Sequence, residues 1–414
     1  MRVAAACLVL LVVTLAGCDG TSRHSSPAAS PTRTLGAPAS GLVSPPKPIG
    51  TRDPCPTRPD LGAGQARDVL FRTTRVGWVV TARRVLATTD RGEHWTTSYR
   101  AAGRQTLRSV DFVDRRHGWI VASNGLLRTA DGGQHWRRLP ASCPRVQVVD
   151  FVTPRFGYAV AGPEPARNGA TPEGVLLRTS DGGIHWHRVP VQPPQVQSVC
   201  IADRRDVWLG AGGNVYRSRG SLSPWRPIVH HETDVGAGYR LVANVDCTTR
   251  RAAWAVISCL CGAMSQSPHI GYHATGHGGS PLFAEQYFAH PGVHVRRESP
   301  GTYAGPFAVI NDRDAVFFDV CPACSHPTSG SHGRRVLTTT EYSAIASDAG
   351  RRLVRPGPIT GITAATAASF PNVEEGWVLG TRTLWLEQNT RTRSTTVLEH
   401  TSDGGRTWDV RLRI

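Results

Sequence analysis

Eight cysteines beyond residue 50 carry the most obvious capacity for chemistry: Cys55, Cys143, Cys200, Cys247, Cys259, Cys261, Cys321 and Cys324. Four of them fall in two close pairs, Cys259 and Cys261 in SCLCG, and Cys321 and Cys324 in VCPACSHP. Two disulfides stapling long loops are the first reading of these pairs, which then need no metal or other cofactor. A zinc or copper site is the second, since C-x-C and C-x-x-C present four thiolates, with His269, His273, His277 or His326 in reserve. A redox-active Cys321–Cys324 pair is the third, because the strand running into a helix that usually frames such a pair is missing. The stretch SPHIGYHATGHGGSP would align its three histidines on a helix, yet its four glycines and two prolines predict a solvated loop. Cys200 and Cys247 occupy matching places in neighbouring repeats, as buried thiols or as a disulfide between them.

A second set of candidates recurs. TTDRGEHW at 88–95, RTADGGQHW at 128–136, RTSDGGIHW at 178–186 and TSDGGRTW at 401–408 each set an aspartate five residues before a tryptophan. Asp90, Asp131, Asp181 and Asp403 are each a possible acid or calcium ligand, but an active site needs one such group and not four. The structural reading fits better. An aspartate accepts backbone N–H bonds in its own turn, glycine permits positive φ, and Trp95, Trp136, Trp186 and Trp408 bury large rings between neighbouring sheets.

These turns belong to a longer unit. Phe71 precedes Trp78 by seven positions, and the interval recurs from Phe112 to Trp119, Phe151 to Tyr158 and Phe370 to Trp377. Weaker copies fill the gap: Cys200 lies eight before Trp208, Cys247 seven before Trp254, and Ile310 seven before Phe317. The seven aromatic positions are separated by 41, 39, 50, 46, 63 and 60 residues, room for four short strands with added loops in the later copies. One unit reads as strand A (109–113), strand B (119–122), strand C (125–129) and strand D (134–139). The prediction is an all-β chain, a seven-bladed β-propeller of four-stranded antiparallel blades over 63–414.

The pattern Ser/Thr-x-Asp-x-Gly-x-x-Trp resembles the Asp-box, or BNR repeat, of sialidases, sortilin-like receptors and photosystem II assembly factors. The whole unit is most similar to the assembly-factor group, although blades four to six lack a clear Asp-box. That resemblance implies a propeller acting as an assembly scaffold. The sialidase resemblance stops at the turn: Phe71-Arg72-Thr73-Thr74 only approximates that family's Phe-Arg-Ile-Pro signature, and Glu341-Tyr342 is the only adjacent Tyr–Glu pair. No nucleophile elbow, Walker loop or His-Glu-x-x-His motif is found.

The chain opens MRVAAACLVLLVVTLAGC, a short apolar run ending in small residues. It is expected to be a signal peptide over 1–17 rather than a spanning helix. LAGC resembles the lipobox of bacterial lipoproteins, which makes Cys18 the expected lipid-bearing residue. A disordered Ser/Pro/Ala tether is expected over the rest of 18–62. The formal charge is +16, almost all of it arginine, with Lys47 the single lysine. No run of five or six basic residues points to specific nucleic acid binding. Together these features predict a monomeric, lipid-anchored protein on the extracytoplasmic face of the cell membrane. Its expected role is a non-catalytic binding or assembly scaffold, with an envelope protein as first partner and an anionic polysaccharide or wall polymer as second. The rivals are a sialidase-like glycoside hydrolase and a metal protein using Cys259, Cys261, Cys321 and Cys324.

Overall fold

The computed structural model describes residues 66–140, 145–162, 174–190, 195–220, 224–230, 241–259, 269–284, 297, 303–329, 335–356, 358–359, 361–386 and 389–414, all within the unit Arg52–Ile414. They form a seven-bladed β-propeller. Five four-stranded antiparallel sheets make blades one to five, and blades six and seven share one nine-stranded sheet. Blade two is typical, with strand A Leu107–Phe112, B Gly118–Ala122, C Gly125–Thr129 and a two-residue D, Arg137–Arg138. The predicted D strand was longer; after its Trp the chain has only two residues in register before it must cross to the next blade. Among the described residues no helix is long and apolar enough to cross a membrane.

Strand B is buried along its whole length in blades one to three, with Gly77–Thr81, Gly118–Ala122 and Gly157–Gly162 covered on both faces. This is why it reads as an unbroken apolar run and not an alternating one. Its leading glycine has a steric cause. Phe71 pairs with Gly77, Phe112 with Gly118 and Phe151 with Gly157, and a Cβ on these glycines would fall 2.5, 2.5 and 2.4 Å from the phenyl ring of its partner. The ring lies over the glycine of its own blade and presents its other face to the preceding blade. Trp78 stacks on Phe112 at 3.7 Å and Trp119 on Phe151 at 3.6 Å. The seven-residue interval thus sets, within one blade, the two rings that stack on its two neighbours.

The same contact closes the ring. Trp377 of blade seven stacks on Phe71 of blade one at 3.6 Å, and the Phe71 amide donates to Ser369 Oγ at 2.8 Å. Among the described residues no strand is exchanged, since each blade takes its strands from one continuous stretch of chain.

Two repeat assignments shift by one residue. In blade six Ala315 pairs with Val309, as Gly118 pairs with Phe112, so Val316 and not Phe317 takes the aromatic place. Phe317 faces back into the cluster of Trp254 and Phe283, where it completes the blade-five packing. In blade four Cys200 pairs with Trp208 and Ile201 with Val207, which puts Ile201 in the phenylalanine position. A smaller residue there needs no glycine opposite, and Val207 and Ala253 occupy that place in blades four and five.

Candidate functional site

The four Asp-box turns share one hydrogen-bond pattern. In blade one Thr88 Oγ1 donates to Asp90 Oδ1 at 2.8 Å and accepts from the Gly92 amide at 3.0 Å. The His94 amide donates to Asp90 Oδ1 at 3.0 Å, and its ring Nδ1 lies 2.6 Å from Oδ2. Thr129, Asp131, Gly133 and His135 repeat the arrangement, as do Thr179, Asp181, Gly183 and His185. In blade seven Thr401, Asp403 and Gly405 do the same, with the Thr407 hydroxyl replacing the imidazole at 2.7 Å. Backbone and side-chain bonds from His94 and His135 hold Asp90 and Asp131 well below the usual carboxylate range. Asp181 and Asp403 are lowered to about 2; partial desolvation opposes the shift and is outweighed by bonds from His185 or Thr407. All four carboxylates are held ionised by their own turns.

Trp95, Trp136, Trp186 and Trp408 are half-buried and sit edge-on to the strand-A phenylalanine of the same blade at 5.9–6.3 Å. They pack into the seams as expected, Trp136 against Tyr99 of blade one and Trp408 against Phe318 of blade six, while the strand-B rings Trp78, Trp119 and Trp377 in the same seams are buried almost completely. Strand-B indoles also reach the next blade's turn: Trp119 Nε1 donates to Gly182 O at 2.9 Å and Trp377 Nε1 to Arg91 O at 3.2 Å.

The expected histidine loop is a strand. His269–Thr275 forms strand C of blade five, paired throughout with Ala252–Cys259, and its Gly271 accommodates the Phe283 ring where a Cβ would lie 2.5 Å away. The glycines serve close packing there, so they do not break the strand. His269 Nε2 lies 2.9 Å from Asp319 Oδ2, and both side chains are buried. His273 Nε2 lies 2.9 Å from Asp312 O, and His277 projects from the hairpin turn. The two strand histidines therefore tie blade five to blade six.

Cys200 and Cys247 form a disulfide between blades four and five, with Cα atoms 5.8 Å apart. Cys259 ends strand B of blade five and is disulfide-bonded. Cys321 and Cys324 lie in strand B of blade six, Ala315–Ser329, and not in a loop: the B–C hairpins of blades six and seven are long paired arms that meet at Val336–Leu386. Glu341 and Tyr342 are on the facing strand, Arg335–Ser347. Cys18, Cys55, Cys143 and Cys261 lie outside the described residues. Among the described residues, no three His, Cys, Asp or Glu side chains converge as metal ligands. Phe71-Arg72-Thr73-Thr74 forms the end of strand A and its turn, with Thr73 Oγ1 accepting from the Val76 amide at 3.0 Å.

Sequence reasoning missed two sets of residues. The first is a bridge of strand-A side chains. Asp68 accepts from the Val110 amide at 2.9 Å, Asp111 from Phe151 at 2.9 Å, and Asp150 from Ile201 at 2.6 Å, each in the next blade. Desolvation raises Asp68 and Asp246 to about 6 and Asp111 to about 7, and lifts Asp150 well above the usual range, with repulsion among the carboxylates adding to it. Asp111 and Asp150 sit immediately before Phe112 and Phe151, and Asp246 before Cys247, a placement that alternation alone hides as a polar face. The second set is the strand-C residue opposite the strand-B aromatic. Arg128 lies over Trp119, Arg217 over Trp208, His273 against Trp254 and His400 against Trp377, with centres 5.6, 4.4, 4.5 and 4.6 Å apart.

The family model for the photosynthesis system II assembly factor YCF48 matches residues 61–143 and 99–251. No curated protein sequence matches the chain. Among solved structures, YCF48 bound to D1 peptide aligns with a TM-score of 0.50 at 14% identity, over 77% of this chain and 91% of that one. The Saccharomyces cerevisiae protein Sqt1 gives 0.48 at 7% identity over 85% and 96%. The GH74 xyloglucanase from Xanthomonas campestris gives 0.42 at 13% over 83% and 72%. At these identities the likeness is one of fold. Residues 61–251 are thus similar to the photosynthesis system II assembly factor YCF48 family, and the described residues as a whole form a seven-bladed propeller.

Proposed function

We propose that the propeller is a non-catalytic platform that holds a protein partner outside the cytoplasm, tethered to the membrane through a lipid on Cys18. The observation that carries this reading is the use of the repeated carboxylates. Each Asp-box aspartate is committed to hydrogen bonds within its own turn, and Asp68, Asp111 and Asp150 to amides of the next blade. The acidic residues of the repeat hold the wheel together, which leaves its surfaces for recognition. Support comes from the YCF48 repeat and from a similar propeller whose solved structure holds a peptide. The Cys200–Cys247 disulfide suits an oxidising compartment, in keeping with the export signal read at residues 1–17.

The test is photocrosslinking of the full chain in intact cells, followed by binding of the recovered partner to purified protein. A single envelope protein that binds saturably, together with release of a Cys18→Ala variant from the membrane fraction, is the expected result. Turnover of a fluorogenic sialoside, or saturable binding of a wall polymer with no protein crosslinked, would replace the reading.

A further inference from the structure

Arg217 and Arg219 lie two apart on strand C of blade four, Asn214–Arg219, and so share one face of the sheet. Arg217 pairs directly with Arg226 of the neighbouring strand, Arg226–Val229. Like charges set opposite each other across a sheet are destabilising unless something lies between them. Asp206 answers part of this charge. Its carboxylate takes Arg217 Nε at 2.8 Å and Nη2 at 2.6 Å, and lies 3.7 Å from Arg219 Nε. One carboxylate therefore answers two guanidiniums, with Arg226 across the sheet as a third cation.

Arg217 is 3% exposed, and its remaining nitrogen, Nη1, has no hydrogen-bond partner. Leaving a buried charged donor unpaired is costly. The side chain lines a cleft of ≈ 230 Å³ with Arg219, Arg226, Pro224, Ile228 and Gly276. A Cβ on Gly276 would fall 2.9 Å from both Arg217 Nη1 and Arg219 Nη2, so the two guanidiniums close on one point.

The seam between blades two and three shows what fills the equivalent place elsewhere. Arg128 there also faces an arginine, Arg137, and a Cβ on Gly182 would lie 2.6 Å from Arg128 Nη1. Asp181 of the Asp-box precedes that glycine and acts electrostatically on Arg128. In blade five Thr275 precedes Gly276 and His277 follows, so this seam has Asp206 but no Asp-box carboxylate for its cations.

We propose that this cleft binds a phosphoryl group, with its oxygens taken by Arg217 Nη1, Arg219 and Arg226. Donors converging from three side chains suit a tetrahedral oxyanion; a planar carboxylate is satisfied by one guanidinium edge, as Asp206 is by Arg217. Pro224 and Ile228 form an apolar wall for the carbon part of a phosphorylated ligand. The site does not depend on the protein-partner reading, and either can fail alone.

The test is calorimetric titration of the purified full chain with inorganic phosphate, glycerol 3-phosphate and acetate at constant ionic strength. Arg219→Gln/Arg226→Gln removes two exposed cations while keeping the Arg217–Asp206 pair. Gly276→Asp supplies the missing carboxylate from the protein itself. One-site phosphate binding is expected, weakened about tenfold or more in both variants, with acetate weaker than phosphate by a similar factor. Tighter binding of glycerol 3-phosphate than of phosphate assigns the site to an organic phosphate, and equal binding to free phosphate. Absence of saturable phosphate binding, or wild-type affinity in the double variant, overturns the proposal.

Discussion

Blades one, two, three and seven and blades four, five and six hold the same wheel by different means. In the first group the chain after strand C folds into an Asp-box, whose glycine or neighbouring residue donates an amide to the strand A–B turn: Arg91 to Arg75 O, Gly132 to Arg116 O, Gly182 to Arg155 O and Gly404 to Glu374 O, at 2.8–3.0 Å. Blades four and six lack the Asp-box but keep that bond, from Gly220 to Arg205 O at 2.7 Å and from Ala349 to Arg313 O at 2.9 Å. Gly220, Asp348, Ala349 and Gly350 take the positive φ that the Asp-box glycines take elsewhere. The backbone contact thus recurs in six blades with or without the motif, and the aspartate is one way to pre-form it. Where the motif is missing, other ties appear across the seams: the Cys200–Cys247 disulfide, and the His269–Asp319 and His273–Asp312 contacts.

The largest test of this contrast is at a regular seam. Trp119→Ala removes a fully buried ring stacked on Phe151, and urea unfolding is expected to show a loss of about 3–5 kcal/mol. At the irregular seam the disulfide closes a sequence separation of 47 residues, and Cys200→Ala/Cys247→Ala is expected to cost about 2–4 kcal/mol. Reduction of the wild type should move its melting temperature in the same direction. Equal melting of oxidised and reduced protein would show that blades four and five need no staple.

Gly118→Ala sharpens the comparison further. Its methyl would meet the Phe112 ring at 2.5 Å, and a loss of about 1–3 kcal/mol is expected, whereas Ala253→Gly at the matching place in blade five should cost about 1 kcal/mol. Thr129→Val, which removes the acceptor of the Gly133 amide, is expected to cost about 1–2 kcal/mol. Equal loss from a threonine-to-valine change outside an Asp-box would deny the motif its role in shaping the turn.

The smallest effect is a pH dependence. Asp68, Asp111 and Asp246 have folded-state pKa values raised to about 6, 7 and 6, so the native state holds more protons than the unfolded chain between about pH 4 and 7. Their contribution is full below about pH 4 and is lost as pH rises through 6–7. The Asp-box carboxylates, with lowered pKa values, contribute above about pH 4 and lose that contribution in stronger acid. Melting is thus expected to be highest in mild acid. Asp111→Asn, which keeps an acceptor for the Phe151 amide, should raise the melting temperature at pH 8 by about 2–4 °C and leave pH 5 nearly unchanged.

The wheel was legible in sequence because its requirements are local and repeated: a Phe, seven residues, a glycine–aromatic pair and a turn with Asp and Gly at fixed offsets. Blade six was read one residue out of register because Val316 stands in the aromatic place and Phe317 beside it invites the wrong alignment. The histidine stretch was misread because glycine signals both a break and a close approach, and only the Phe283 ring over Gly271 tells them apart.

What the sequence by itself determined was the blade count, the strand order and the structural character of the Asp-box, since each depends on contacts within one repeat. Tertiary structure decided what happens between repeats. It stacks Trp377 on Phe71 across 306 positions of chain, bonds Asp111 and Asp150 to amides about 40–50 residues away, and brings Gly276 to the unpaired nitrogen of Arg217. Such contacts join residues whose spacing varies with every loop length, so no fixed interval in the chain announces them.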